Sequence, residues 1–304
     1  MRIVFFGLPL AALSLLRDGH QIALASICRP EAPGLRRLTK ALSAERVLIK
    51  PSVDDEAMLD RVRTLSPELL VSWFWTTRLP PSLVACARDG GFGVHPSLLP
   101  RWRGPDPYFW AIDAGDAITG VTAHRLDADY DTGAILGRRE VSIDARWDSW
   151  QLARALDRPS LQLMLATVRA FADGDPPRER PQDEALATDA PAPDEGLLEI
   201  DFERDAESIV RRIRAAAPYP GAWTFIGDEA VVVTRAKVVE RPRALVAGEA
   251  TVVDGLAVVA AGRGGVALLA GRIVGDDEGP EKSVDFASLA ALLVDAGRGT
   301  DDAP

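Results

Sequence analysis

The first half of the chain alternates short apolar runs with stretches in which apolar residues recur at helical spacing. Apolar runs at residues 2–6, 22–28, 46–49 and 69–75 predict strands, and the segments between them predict helices. Strands that are apolar throughout and separated by helices indicate a parallel sheet covered on both faces. We therefore expect an α/β fold with a Rossmann-like, doubly wound parallel sheet.

A stretch rich in proline and acidic residues divides the chain. Residues 175–196 predict a linker, because such a composition buries little apolar surface. It separates a predicted catalytic domain, residues 1–174, from a second domain, residues 197–304. The second domain opens with the amphipathic string DAESIVRRIRAA and continues with short β-rich runs around the turn GRGG. This pattern predicts a small C-terminal OB-like β-barrel.

Composition narrows the function classes. A net charge of −10 argues against non-specific nucleic-acid binding as the main activity, because phosphate contacts dominate that affinity. Cys28 and Cys86 lie in apolar surroundings without paired spacing, so we expect neither a disulfide framework nor a metal site. No apolar run reaches the length of a membrane span, and we expect a cytoplasmic protein. The chain contains no asparagine.

Several polar loops follow predicted strands of the first half. In open parallel sheets, ligands bind beyond the carboxyl ends of the strands. The strings GLP, TTRLP and VHPSLLP fall at such ends, and the loop DADYDTG can reach the same crevice. The first strand is not followed by GxGxxG, and no GKS or GKT loop occurs, which argues against a dinucleotide cofactor or a nucleotide-phosphate site.

Three side chains in these loops are candidates for chemistry: His95, Ser97 and Asp131. A carboxylate beside an imidazole raises its pKa and fixes its orientation, which prepares the imidazole to carry a proton. Ser97 is an alternative nucleophile, although it lacks a G-x-S-x-G elbow. Spacing alone also fits a histidine that anchors its loop and an aspartate that forms a turn, so the chemistry stays open at this point.

The string HPSLLPRWRG, followed by GVTAHRLDADYDTGAIL, resembles the folate-dependent formyltransferases. The pattern is most similar to the enzymes that formylate methionyl-tRNA and UDP-4-amino-4-deoxyarabinose. MRIVFFGLP resembles the first strand and turn of that family, and DFERDAESIVRRIRAAAPYPGAWTFIGDE resembles the entry to its C-terminal barrel. The resemblance covers nearly the whole chain. It implies an N-formyltransferase that moves a formyl group from 10-formyltetrahydrofolate to a primary amine.

The resemblance also implies roles for individual residues. His95 matches the general acid/base and oxyanion stabiliser, and Asp131 matches the carboxylate that raises the pKa of this histidine. Gly93 stands where the family has a catalytic asparagine. The residues that match the folate loop are Ser97, Leu98, Leu99 and Pro100, and those that match the pterin pocket are Thr77, Arg78 and Leu79.

The glycine at position 93 leaves two hypotheses open. Loss of one oxyanion donor typically costs about 10²–10³ in rate, which leaves room for a slow or specialised transferase. The alternative is a non-catalytic folate- or substrate-binding relative.

The acceptor is open as well. Arg29, Arg36, Arg37 and Lys40 fall in the stretch Arg29–Lys40, which matches the basic loop that engages tRNA in the family. A solvated helix face explains these charges equally well. Given the net charge, a small amine, such as an amino sugar nucleotide or another metabolite, is at least as well supported as tRNA.

Overall fold

The computed structural model describes residues 1–226, 229–274, 282–285 and 287–291. These residues form two compact units that interleave along the chain. The first unit comprises residues 1–107, 118–142 and 154–191. The second comprises residues 108–117 and 143–153 and the described residues from 192 onward.

A seven-stranded sheet forms the centre of the first unit, in the order β3-β2-β1-β4-β5-β6-β7. Its strands are β1 Arg2–Gly7, β2 Gln21–Ile27, β3 Val47–Ile49, β4 Leu69–Trp73, β5 Gly91–His95, β6 Ile118–Arg125 and β7 Ile135–Ser142. The first five strands pair in parallel, and β6 and β7 add antiparallel at one edge. Residues 3–6 of β1 and 69–71 of β4 have no exposed surface, so helices and loops cover both faces. This confirms the predicted α/β, Rossmann-like class.

Six α-helices lie before residue 175. They are α1 Pro9–Arg17, α2 Leu35–Leu42, α3 Glu56–Leu65, α4 Pro81–Val84, α5 Pro107–Asp113 and α6 Ser149–Ala172. α1 and α4 begin with proline, which has the φ that the first helical residue needs and no N–H to leave unpaired. The crossover connections between β1 and β4 place the carboxyl ends of the parallel strands at one edge, where the GLP and TTRLP loops leave the sheet.

An antiparallel sheet dominates the second unit, in the order β10-β11-β12-β9-β8, with β13 paired to β12. The elements are α7 Glu195–Leu198, α8 Ala206–Ala216, β8 Ala222–Ile226, β9 Glu229–Val239, β10 Ala250–Val253, β11 Leu256–Ala260, β12 Gly265–Ile273 and β13 Lys282–Asp285. β12 pairs with β11 along its first half and with β13 along its second half. The prediction of a C-terminal antiparallel β domain is confirmed, and the OB-like form of the barrel stays a prediction.

The stretch predicted as a linker packs against the first unit up to residue 191. Arg180 and Ile135 form a β-bridge, and Ala190 is fully buried. The side-chain amide of Gln182 donates to the carbonyls of Asp131 and Gly133, at 2.6 and 2.8 Å. Hydrogen bonds fasten this segment to the first unit, which its composition does not reveal. The boundaries 1–174, 175–196 and 197–304 stay a prediction.

The described ranges contain both cysteines of the chain. Cys28 is buried, Cys86 is partly exposed, and both carry free thiols. Within these ranges, every helix is too short or too polar to cross a bilayer.

Candidate active site

The candidate site begins at the carboxyl end of β5. All five residues of this strand are buried, and His95 is its last residue, with 7% of its surface exposed. β5 pairs with β4 on one side and with β6 on the other. In the antiparallel pairing with β6, Gly93 lies opposite His124 and His95 lies opposite Thr122. Since side chains alternate along a strand, these four positions share one face of the sheet.

Both ring nitrogens of His95 face oxygen atoms. Nε2 lies 2.8 Å from the carbonyl oxygen of Trp102, and Nδ1 lies 3.4 Å from Oδ2 of Asp131. A carbonyl oxygen only accepts, so Nε2 carries the hydrogen of the neutral ring and Nδ1 faces the carboxylate. Trp102 has φ = 63°, a left-handed backbone that a tryptophan rarely adopts. Such strain is often found at functional sites, and here it accompanies the contact between the Trp102 carbonyl and the histidine.

Asp131 lies in the loop between β6 and β7, and its side chain is 17% exposed. The Gly104 N–H donates to Oδ2 at 3.0 Å. Asp131 also has a left-handed backbone, with φ = 57°. The Gly104 N–H therefore holds the carboxylate of Asp131, and the Gln182 side chain, from the segment after α6, holds the backbone carbonyl of the same residue. The structure thus brings His95 and Asp131 together, although they are far apart in the chain.

Burial and charge act in opposite directions at this pair. Burial lowers the pKa of His95, the Asp131 carboxylate raises it, and the positive charge of His124 lowers it further, with a net shift downward. For Asp131, burial raises the pKa. The positive charges that His95 and His124 carry when they are protonated, together with the Gly104 N–H, outweigh that effect, so the pKa of Asp131 lies well below its ordinary value. We therefore take Asp131 as the anion of the site and His95 as neutral at rest.

Sequence reasoning missed a third member of the site, His124 on β6. Its Nε2 lies 3.3 Å from Oδ1 of Asp131, and its Nδ1 lies 2.9 Å from the carbonyl oxygen of Arg125. The ring is 5% exposed, and its centroid lies 6.4 Å from that of His95. The available signal was the alternation within GVTAHRL, which puts Thr122 and His124 on one face.

Gly93, the position of the absent asparagine, lies against His124. A Cβ at position 93 would be 3.4 Å from Nε2 of His124 and 3.4 Å from Cδ2 of Leu126, which is ordinary van der Waals contact. The polar atom nearest to a Cβ at position 93 is therefore Nε2 of His124, on the neighbouring strand.

The loop after His95 is fastened by Thr122. The Thr122 hydroxyl donates to the Ser97 carbonyl at 2.7 Å and accepts from the Leu99 N–H at 3.1 Å. The Ser97 hydroxyl donates to the Arg101 carbonyl at 2.6 Å, and both Ser97 and Leu99 are fully buried. The Ser97 hydrogen is thus held by a carbonyl of its own loop rather than by the base that activates a serine nucleophile.

The predicted pterin-pocket residues follow β4 and meet the loop that carries Asp131. The Arg78 N–H donates to the Tyr130 hydroxyl at 3.0 Å, and the Arg78 guanidinium donates to the Ala128 carbonyl at 2.8 Å. Thr77 and Arg78 are exposed, and Leu79 is buried. The loops after β4 and β6 are therefore linked beside the histidine pair.

The cationic side chains of the Arg29–Lys40 stretch and that of Arg103, which follows the Ser97–Pro100 loop, differ in their surroundings. Arg29, Arg36, Arg37 and Lys40 are exposed, while Leu38 and Leu42 of α2 are buried. α2 is thus amphipathic, with a basic outer face. Arg103 instead donates to Gln182 and to both carboxylate oxygens of Glu184.

Comparison with known proteins places this geometry in a family. The profile described as formyl transferase matches residues 24–168, and the profile described as the formyl transferase C-terminal domain matches residues 195–278. A methionyl-tRNA formyltransferase of Stenotrophomonas maltophilia (strain K279a) is 32% identical over 283 residues, which cover 90% of each chain. The chain belongs to the formyltransferase family. A methionyl-tRNA formyltransferase of Anaeromyxobacter dehalogenans is 33% identical, with 95% of this chain and 96% of that one covered.

Solved structures with the same fold are more distant. HypX from Aquifex aeolicus in complex with tetrahydrofolic acid has a TM-score of 0.67 at 19% identity, and covers 97% of this chain. This chain spans 47% of the length of HypX. An N-formyltransferase from Helicobacter canadensis, in complex with folinic acid and dTDP-3-aminofucose, has a TM-score of 0.68 at 13% identity, covering 88% of this chain and 98% of that one. At these identities the likeness shows the fold alone.

Proposed function

We propose that this formyltransferase-family protein is an N-formyltransferase, which moves the formyl group of 10-formyltetrahydrofolate to a primary amine. The observation that carries the proposal is the buried contact between His95 and Asp131 at the end of β5, beside the Ser97–Pro100 loop. Acyl transfer between nitrogen atoms needs a group that takes a proton from the attacking amine and a charge that stabilises the protonated group. His95 and Asp131 meet both requirements.

The reaction transfers one formyl group from the folate to the amine and one proton from the amine to the folate. The amine nitrogen bonds to the formyl carbon, and the bond between that carbon and N10 of the folate breaks. The amine loses one proton and N10 gains one, so that a formamide and tetrahydrofolate leave. Because Nε2 of His95 is held by the Trp102 carbonyl, Nδ1 is the nitrogen that accepts the proton. Asp131, 3.4 Å away, stabilises the resulting imidazolium.

The formyl donor is a substrate consumed in each turnover. The loop of Ser97, Leu98, Leu99 and Pro100, in which only Leu98 is partly exposed and which Thr122 holds by hydrogen bonds, would bind the donor against His95. The exposed backbone of Thr77 and Arg78, linked to the Asp131 loop and followed by the buried Leu79, would line the pterin end. A rigid loop favours the reaction because it fixes the formyl carbon relative to the proton acceptor.

Methionyl-tRNA is the acceptor that the relatives support, since they match over nearly the full chain. The exposed basic face of α2, with Arg36, Arg37 and Lys40, fits an RNA phosphate backbone. The net charge of −10 favours a small amine instead, such as an amino sugar nucleotide. Salt dependence separates the two, because RNA binding weakens steeply with ionic strength.

Gly93 supports one rival, a relative that binds folate without transferring the formyl group. The rival requires that transfer fail without the absent amide, whereas the contact between His95 and Asp131 does not involve a side chain at position 93. The test measures formyl transfer by the wild type and by Gly93→Asn, with methionyl-tRNA and an amino sugar nucleotide as acceptors. Turnover by the wild type with little gain in the variant supports the transferase. Folate binding with turnover in the variant alone supports the binder.

A further inference from the structure

His124 lies between two acceptors, and this sets its protonation. Nδ1 faces the Arg125 carbonyl at 2.9 Å, and Nε2 faces Oδ1 of Asp131 at 3.3 Å. The carbonyl accepts only, so Nδ1 carries a hydrogen. The neutral ring then has none left for Nε2, and a bare nitrogen would face a carboxylate. Only the imidazolium donates at both contacts. His95 has the same two kinds of partner, but the carboxylate oxygen that it faces, Oδ2, already accepts the Gly104 N–H, and burial lowers the pKa of its ring. Of the two rings, His124 is therefore the one placed to hold the positive charge.

The two oxygens of Asp131 are divided between different groups. Oδ2 accepts the Gly104 N–H at 3.0 Å and lies 3.4 Å from Nδ1 of His95, while Oδ1 faces His124. In the described part of the chain, the titratable groups that face His124 are Asp131 from the loop after β6 and His95 from β5. His124 is therefore the cation for a carboxylate whose other oxygen is already occupied.

We propose that His124 is a cationic positioning residue of this site, which holds and neutralises Asp131 before the reaction so that His95 waits in its neutral form to take the proton of the amine. This inference rests on the proposed function and assigns a role to a residue outside the predicted site. Without His124, Asp131 would pair with His95 alone and favour its charged form, which cannot accept a proton. The side chain acts through Asp131 and needs no contact with a substrate.

Gly93 leaves space beside the His124 ring. A Cβ at position 93 would already touch Nε2 and Cε1 of His124, at 3.4 and 3.7 Å. A longer polar side chain would compete with Asp131 for Nε2. Glycine leaves the contact between His124 and Asp131 undisturbed.

The first test is independent of turnover. The chain has three histidines, so ring signals are assigned in an NMR titration by replacing them one at a time. A positive charge on His124 lowers the pKa of His95. We expect His124→Gln, which keeps a hydrogen-bond donor without the charge, to raise the pKa of His95. An unchanged His95 titration would mean that His124 carries no charge at this site and would overturn the proposal.

The second test measures formyl transfer. We expect His124→Leu to lower kcat by about 10²-fold through misplacement of Asp131, with His124→Gln intermediate. KM for the folate should stay within about twofold, since ground-state binding is not involved. The proton-accepting limb of the pH–rate profile should move to higher pH in His124→Gln. In an Asp131→Asn background, His124→Gln should cost nothing further, because the two residues act together.

His20 provides the matched control. Its Nε2 lies 3.3 Å from Asp18, and it is similarly buried, but it precedes β2 and so lies at the opposite edge of the parallel sheet. His20→Gln should leave kcat and the His95 titration unchanged. If the wild type and all variants lack turnover while His124→Gln shifts the His95 titration, the proposed function fails and the inferred charge stands. If the wild type is active and replacing His124 changes neither turnover nor the His95 titration, the inference about His124 fails while the proposed function stands.

Discussion

Each unit of the molecule buries a carboxylate beside cationic side chains. In the second unit, Arg212 of α8 binds Asp113 of α5 through two contacts of 2.7 and 2.9 Å, and both side chains are 11% exposed. Arg212 also donates to the Leu197 carbonyl. In the first unit, Asp131 lies between His95 and His124 at 3.4 and 3.3 Å.

The difference lies in whether a proton can move. A guanidinium is always charged, and its donors in the Arg212 pair are directed at fixed acceptors, so this pair has one state. The histidine cluster has longer contacts, and an imidazole, unlike a guanidinium, is a side chain that can gain and lose a proton. The first arrangement suits an architectural role and the second suits proton transfer. Each can be tested by removing only the charge of its carboxylate.

The largest effect is expected for Asp131→Asn. Formyl transfer should fall by about 10²–10⁴-fold, because the protonated His95 loses its counter-charge. Steady-state kinetics with saturating folate measure the loss. Asp129→Asn, an exposed position in the same loop, serves as the control. A loss below tenfold would contradict the role of Asp131.

Asp113→Asn should act on stability instead. The substitution leaves the buried Arg212 without its counter-charge, so the free energy of unfolding should fall by about 3–5 kcal/mol. Urea denaturation measures this value, and Glu207→Gln, an exposed acid on α8, is the control. Turnover per folded molecule should remain close to that of the wild type. If Asp113→Asn were stable but inactive, the pair of Arg212 and Asp113 would not have the architectural role assigned to it.

Thr122→Val should have a smaller effect that is specific to the folate loop. The change keeps the shape but removes the hydroxyl that joins Ser97 to Leu99. KM for 10-formyltetrahydrofolate should rise by about tenfold, since hydrogen bonds of this kind are worth about 1 kcal/mol and a buried N–H loses its partner. Initial rates over a range of folate concentrations test this expectation. An unchanged KM would show that the loop does not hold the folate.

The smallest effect concerns the pH dependence of stability. Burial lowers the pKa of His95, so the unfolded chain binds more protons and stability should fall as the pH drops below about 6.5. The pKa of Asp131 is also lowered, mainly by the neighbouring histidines that overcome its burial. Its contribution is therefore present above about pH 4 and is lost at lower pH. Denaturation at a series of pH values should show a weaker decline between pH 7 and 5 for His95→Gln. An identical slope would mean that His95 is not responsible.

Much of the first unit was predictable from the chain alone. Continuous apolar runs such as those of β1 and β4 have to be buried on both faces, which requires a covered parallel sheet. His95 was predictable as well, because a polar residue that ends a buried strand lies at the edge where ligands bind. The resemblance of the loop strings added the formyltransferase family, which the comparisons confirm.

The segment after α6 was not predictable in the same way. Its proline and acidic content resembles a linker, yet Gln182 and Arg180 fasten it to the Asp131 loop and to β7. A single side chain that binds distant carbonyls, as Gln182 does, and a single backbone bridge, as at Arg180, leave no periodic trace in a sequence.

The sequence by itself determined the strands, the helices and the side chain that we propose to react, His95, because these depend on local hydrophobic period and on residue type. Only the tertiary structure decided which groups surround that side chain. The antiparallel pairing of β5 with β6 places His124 opposite Gly93, and the loop after β6 returns Asp131 between the two histidines. Charge and hydrogen-bond partners depend on distances across strands, and these distances are fixed by register rather than by order along the chain.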